Sequence, residues 1–384
     1  MTGQDLRAVP ATEIDLNEWI RAGDTVAWTQ GAGEPVSIVE RLIEQRHEIG
    51  PFRVLLGTSY SGLISDEHTD FVSFTGFGVV GTSARMAASG DIDIVPVNLS
   101  EAARLLEEDC THVDVLILQV SPPASDGTCT LGAVNGYLHE ALRHARVVIF
   151  EINTNAPRST SRTLVRIDEA NLIVQSDRPL VEVHERAPTD ADRSIASRIA
   201  ELVPDGATLQ LGIGGVPSAV AAGLAGHRHL GLHSGVIGDS TLRLIQSGVI
   251  DNSRKQLDSG VSVTGLLAGT SELYRFADRN PALRIEPVRY THDPAVLRAM
   301  PTLIAVNSAL EVDLTGQIGS EVLGGRFVGI IGGQADFARG AMASPGGKSV
   351  IGLASRSGRS QQSRIVPLLR SGVVSTHERM PMWW

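Results

Sequence analysis

The feature that most limits how this chain can fold is a segment that it contains twice. Residues 206–240 read GATLQLGIGGVPSAVAAGLAGHRHLGLHSGVIGDS. An apolar run at 208–211 is followed by Gly212, Gly214 and Gly215, by Pro217 at a position suited to the first turn of a helix, and by small residues that let that helix pack close to a sheet. Residues 23–42, GDTVAWTQGAGEPVSIVERL, repeat the construction, with Gly31, Gly33 and Pro35 standing where Ile213, Gly215 and Pro217 stand later. The offset, 217 − 35 = 182 residues, is too long for a solenoid period and predicts two copies of one α/β domain. A strand, a glycine turn and a helix N-terminus gather unpaired N–H groups and the helix dipole at one point, which suits an anion or a developing oxyanion. One such turn alone is equally well a tight connection that binds nothing.

At 384 residues the chain exceeds one ordinary core, and the repeat divides it into domains at 1–185 and 186–384. The expected class is α/β, two similar open parallel-sheet domains. Continuous apolar runs at 25–28, 52–57, 71–77, 92–95 and 113–120 alternate with helical patterns at 35–45 and 100–106, the signature of a parallel sheet covered on both faces. The second half repeats this, with a helix from 192 to 202 capped by Thr189 or Asp190, strands at 208–211, 230–233, 261–267, 303–306 and 349–354, and a strand within 329–337 that ends in a second glycine turn.

A net charge of −10 argues against a nucleic-acid surface, and the most apolar stretch, 207–226, is broken by glycines and a proline and is a poor membrane span. The N-terminus has no secretory pattern, so a cytoplasmic location is expected. Two cysteines, Cys110 and Cys129, exclude a disulfide framework and lack zinc-site spacing, so no metal is expected.

Several longer motifs carry a resemblance. GEP at 33–35, QVSPP at 119–123, NTNAPR at 153–158, GIGGVP at 212–217, NSALEVDLTGQ at 307–317, GGQADF at 332–337, GGK at 346–348 and SRIVP at 363–367 occur in this order. Together they resemble the acetyl-CoA hydrolase/transferase family, which includes 4-hydroxybutyrate CoA-transferases. The resemblance implies a site between two open α/β domains, coenzyme A thioesters as substrates, a carboxylic acid as second substrate, and a homodimer. It makes Gly332, Gly333, Gln334 and Asp336 candidates for coenzyme A binding, with Lys348 and Arg364 as candidates for its phosphates; packing is the plainer role for Phe337.

One departure from the family pattern matters for the chemistry. The strand after the GIG turn ends in His-Thr-Glu in the family, whose glutamate carries coenzyme A as a thioester; here the residues are His233, Ser234 and Gly235. Glycine cannot form that intermediate. Adjacent residues of a strand point to opposite faces, so His233 and Ser234 do not make a nucleophile–base pair. The catalytic candidates are therefore the turn Gly212, Gly214 and Gly215 and the segment His233, Ser234 and Gly235. The expected function is an acyl-CoA-binding enzyme acting without a glutamyl-CoA intermediate, by thioester hydrolysis, acyl transfer or hydrolytic C–C cleavage. The alternatives are a CoA-transferase with a displaced nucleophile and a non-catalytic CoA-binding subunit. Trp383 and Trp384 at the end of the chain are expected either to be poorly ordered or to cover core.

Overall fold

A computed structural model describes residues 8–78, 83–330, 332–358, 361–370, 373–376 and 382–383. Two large sheets organise them. The first contains β1 (Val9–Pro10), β2 (Thr25–Trp28), β3 (Phe52–Leu55), β4 (Val72–Gly76), β5 (Ile92–Ile94), β6 (Val115–Val120), β7 (Val147–Asn153) and β8 (Leu172–Ser176). The second contains β9 (Thr208–Leu211), β10 (Gly231–Ile237), β11 (Ser262–Leu267), β12 (Leu283–Ile285), β13 (Leu303–Ser308), β14 (Lys348–Gly352) and β15 (Met382–Trp383).

Read from one edge, the first sheet runs β5-β4-β3-β2-β6-β7-β8-β1 and the second β12-β11-β10-β9-β13-β14-β15. Adding seven to each of the first seven labels converts one order into the other, and every pairing within these sheets is parallel. The repeat seen in the glycine turns is thus a repeat of topology. Both copies reverse direction at the same place, between β2 and β6 and between β9 and β13, which is where an open α/β sheet leaves a crevice beyond its C-terminal strand ends.

The strands read as unbroken apolar runs because both faces are covered. In β6, Val115 and Ile117 join one buried cluster while Leu116, Leu118 and Val120 join another; in β7, Val147 and Ile149 part from Val148 and Phe150 in the same way. In β13, Ile304 and Val306 pack in the main cluster of the second half, and Leu303 and Ala305 pack behind them with Phe337. Each sheet therefore has a core on both sides, as the alternation of a two-faced strand requires.

The two halves pack against each other. The Asn135 and Gly136 N–H groups donate to the Gly265 carbonyl (3.1 and 3.4 Å), Val288 N–H donates to Gly136 (2.8 Å), and Leu99 N–H donates to Gly332 (3.0 Å). Ala32, Ala133 and Val134 of the first half lie in the main core of the second. Helix α1 (Val36–Ile49) follows the first glycine turn, and α2 (Leu99–Glu107) follows β5. In the second half, α3 (Asp190–Ala200) is capped by Thr189, whose Oγ1 accepts the Asp192 N–H; α4 (Gly215–Gly223) follows the second glycine turn.

One expectation needs correction. Residues 329–330 do not form a strand; they reach the glycine turn as irregular chain, and α5 (Gln334–Ala343) begins directly after it. Strands β8 and β12 were not foreseen, because β12 is only three residues long and both lie among polar turns. Of the terminal tryptophans, Trp383 pairs along β14 opposite Val350, and Trp384 lies outside the described residues.

Candidate functional site

The C-terminal ends of the two sheets enclose a cavity of about 250 Å³. The first half contributes Gln30 and Gly31 after β2, Leu56 to Thr58 and Tyr60 after β3, Phe77 and Gly78 after β4, and Tyr137. The second half contributes Gln210, Gly212 and Ile213 from β9 and its turn, Gly235 and Val236 from β10, Leu266 from β11, and Asn307 from β13. Gly332, Gly333, Gln334 and Phe337 close it from the start of α5. The cavity exists because strand ends and glycine turns from both copies meet there with few side chains to fill it.

Five of the sequence candidates come together in this cavity: Gly212, Gly235, Gly332, Gly333 and Gln334. The others lie elsewhere. Gly214 has φ +115°, a conformation reserved to glycine, and serves as the N-cap of α4. Gly215 faces Arg186, which is paired to Asp192 at 2.8 Å; a Cβ on Gly215 would run into that guanidinium. Ser234 is buried with its hydroxyl donating to Leu211 (2.7 Å), and His233 on the opposite face has its Nε2 2.9 Å from the Thr291 carbonyl. Burial holds His233 neutral, its pKa pushed down to about 3.

Asp336 joins the halves: its carboxylate accepts Asn98 Nδ2–H (2.7 Å), the Ser100 hydroxyl (2.6 Å) and Ser100 N–H (3.2 Å) at the start of α2. Lys348 donates to the Leu202 carbonyl (2.9 Å), away from the cavity. Among the described residues no cluster of three His, Cys, Asp or Glu side chains is placed to hold a metal, and no helix is long and apolar enough to cross a membrane.

Sequence reasoning missed His292. It follows the short helix α6 (Val288–Thr291), is almost wholly buried, and lines the cavity between two glycines. A Cβ on Gly235 would stand 2.9 Å from both Cε1 and Nε2 of this ring, and one on Gly333 would stand 2.7 Å from its Cδ2 and nearer still to Nε2. Phe337 packs against the imidazole in a tilted arrangement, with ring centroids 4.7 Å apart and an interplanar angle of 59°. The linear sequence offers no signal for this: Gly235 and His292 are 292 − 235 = 57 residues apart, and the adjoining Asp293-Pro294 reads only as a helix start, which it is.

Thr291 Oγ1 stands 2.8 Å from His292 Nδ1 and 3.3 Å from the Pro287 carbonyl, and its one proton serves only one of them at a time. With that proton directed at Pro287, Nδ1–H donates to Oγ1 and Nε2 presents its lone pair on the edge against Gly235 and Gly333; with it directed at Nδ1, the ring proton sits on Nε2 instead. Burial pulls the pKa of His292 down to about 4, against the opposing pull of the Asp336 carboxylate, so the ring is neutral near pH 7. Gln334 adds a donor: its Nε2 is buried with no hydrogen-bond partner among the described residues. Gln210 and Asn307 form a reciprocal amide pair at 3.1 and 3.4 Å on another wall. Among the described lining residues there is no Asp, Glu, Lys, Arg or Cys, which makes His292 the one group there that exchanges protons in the acid-to-neutral range.

Comparison with known proteins places these features in context. A model of the acetyl-CoA hydrolase/transferase N-terminal domain matches residues 10–185, and the model of the C-terminal domain of the same group matches residues 269–383. The chain is 35% identical over 356 residues to a 4-hydroxybutyrate coenzyme A transferase of Clostridium kluyveri, covering 92% of this chain and 83% of that one. It is 34% identical over 376 residues to a succinyl-CoA:cyclohexane-1-carboxylate CoA transferase of Geobacter metallireducens, covering 97% and 85%. Among solved structures, RipA from Yersinia pestis superposes with a TM-score of 0.88 at 31% identity, over 98% of this chain and 89% of that one.

Proposed function

The chain belongs to the acetyl-CoA hydrolase/transferase family and is an enzyme of it, and from that premise we propose that it binds an acyl-CoA in the cavity between its halves and passes the acyl group directly to a small nucleophile, without a coenzyme A thioester on a protein carboxylate. The observation that carries this reading is the space at Gly235. Its backbone is not in the left-handed region, so strain does not require glycine there; the buried His292 ring does, because any Cβ meets it at 2.9 Å. A glutamate there must displace the His292 ring, an overpacking that costs about 1–3 kcal/mol.

A displaced carboxylate has little support. Among the described residues no Asp or Glu lines the cavity. Glu34, just behind Tyr60, is buried and accepts the Tyr60 and Ser61 N–H groups at 3.1 and 2.9 Å. With water as the nucleophile the reaction is thioester hydrolysis, which a small cavity with a neutral imidazole and a free amide donor supports best; a cyclic β-keto thioester opened at carbon would use the same groups. The relatives' names keep exchange of coenzyme A between carboxylic acids as the competing outcome.

Incubation with a panel of acyl-CoAs, with and without acetate, followed by mass spectrometry of products and protein, separates these readings. The expected result is free coenzyme A at a rate independent of acetate, with no protein adduct trapped by hydroxylamine. Acetate-dependent formation of acetyl-CoA, or an adduct mapped to any Asp or Glu, would restore the CoA-transferase.

A further inference from the structure

We propose that His292 is the general base of this cavity, deprotonating the water that attacks the thioester carbonyl, with Gln334 Nε2 as donor to the oxyanion. The proposal deepens the hydrolytic reading above and rests on it. Three independent arrangements lead to it. The Nε2 edge of His292 is set between Gly235 and Gly333, two cavity residues that have no side chain to cover it. The Pro287 carbonyl, the Thr291 hydroxyl and Nδ1 form a chain that orients the ring, and the base is the tautomer in which Thr291 donates to Pro287, Nδ1–H donates to Thr291 and Nε2 keeps its lone pair. Gln334 brings a buried amide N–H with no hydrogen-bond partner among the described residues, next in sequence to Gly333. A buried donor without a partner is unfavourable unless a ligand atom meets it.

The step balances without any further reactant. As the water oxygen bonds to the carbonyl carbon, Nε2 takes one of its protons and the carbonyl π pair moves to oxygen, where the Gln334 amide hydrogen-bonds it. The tetrahedral species then re-forms the C=O bond and breaks the C–S bond. The sulfur leaves with the bonding pair, receives the proton from the imidazolium, and departs as the coenzyme A thiol beside a carboxylic acid, so the ring returns to its neutral form. Burial keeps the ring unprotonated near pH 7, and the Asp336 carboxylate favours the imidazolium while the proton is in transit.

The test uses the full chain and acetyl-CoA as probe, reading thiol release, calorimetric affinity and thermal melting for wild type, His292→Gln and His292→Ala. Expected are release of coenzyme A by wild type, a loss of kcat of about 100- to 10,000-fold in His292→Gln with affinity within about threefold, and partial recovery of His292→Ala by free imidazole in the buffer. Rescue by imidazole is what a purely structural role would not give. If either variant is unfolded, Gly333→Ala serves instead: its methyl must push the imidazole edge, and turnover should fall while the fold persists. Wild-type kcat in folded His292→Gln or Gly333→Ala would overturn the assignment of the base and leave the hydrolytic reading standing. Acetate-dependent exchange with no net thiol release by wild type would instead overturn the hydrolytic reading, and this proposal with it.

Discussion

If His292 occupies the room that a carboxylate would need, then Gly235→Glu and His292→Ala must be coupled. In Gly235→Glu the new Cβ begins 2.9 Å from two ring atoms and 3.4 Å from Phe337 Cε2, where carbon contacts are comfortable at about 3.5–4.0 Å. The ring has little freedom to retreat, since Nδ1 is tied to Thr291 and the tilted Phe337 ring packs against it at 4.7 Å. Overpacking of this kind costs about 1–3 kcal/mol, before the cost of burying the carboxylate, which raises its pKa and weakens it as a nucleophile. At about 2–4 °C per kcal/mol, Gly235→Glu should melt several degrees below wild type. His292→Ala removes both of the nearest atoms and leaves a void that the longer side chain can enter. In the double variant the two destabilisations should fail to add, by about 1–2 kcal/mol in the favourable direction. Denaturant unfolding of all four proteins measures this cycle. The same samples, incubated with acetyl-CoA and hydroxylamine, should give a trapped adduct on the introduced carboxylate in the double variant and none in Gly235→Glu alone. Additive unfolding free energies, or a Gly235→Glu protein as stable as wild type and already forming the adduct, would refute the steric argument.

Other expectations follow from the same geometry. Asp336→Ala should lose about 1–3 kcal/mol and weaken acyl-CoA binding, because the Asn98 and Ser100 donors lose the acceptor that joins the halves; unchanged melting would contradict that role. Burial pushes the Glu151 carboxyl up to about 7 from an ordinary 4.5, so its stabilising contribution is present at low pH and is lost as pH rises through 7. Glu151→Gln should therefore gain on wild type, by up to about 3 kcal/mol, between pH 5 and pH 8, and a constant difference across that range would be inconsistent with it. With His292 as base, and Asp336 and His233 as the titratable groups beside it, kcat/KM should be level near neutrality and fall only as pH drops through about 4; an acid limb near 6.5 would point to another group. Deleting residues 380–384 removes β15 from the edge of β14 and should lower the melting temperature, which calorimetry reads directly.

Local patterns in the sequence carried much of the architecture. The apolar runs of β2, β6, β9 and β13, the glycine turns after β2 and β9, and the Thr189 cap of α3 are all decided by neighbours in the chain, and a two-domain parallel α/β fold follows from them. The 182-residue repeat implied that the two halves share one strand order. Gly235 stood out as a vacancy in a family motif, and Gln334 as a candidate ligand group. What the sequence could not supply is what fills that vacancy. His292 meets Gly235 and Gly333 only because β10, α6 and α5 converge at the C-terminal edge of one sheet, bringing together residues 57 and 41 positions from the histidine (292 − 235 and 333 − 292). Likewise Asp336 reads as a binding residue in its motif and becomes a tie between halves only once α2 lies against α5. Strands and caps depend on spacing along the chain, which a sequence displays; a proton acceptor depends on which atoms stand within about 3 Å across space, and only the packing of distant elements sets that distance.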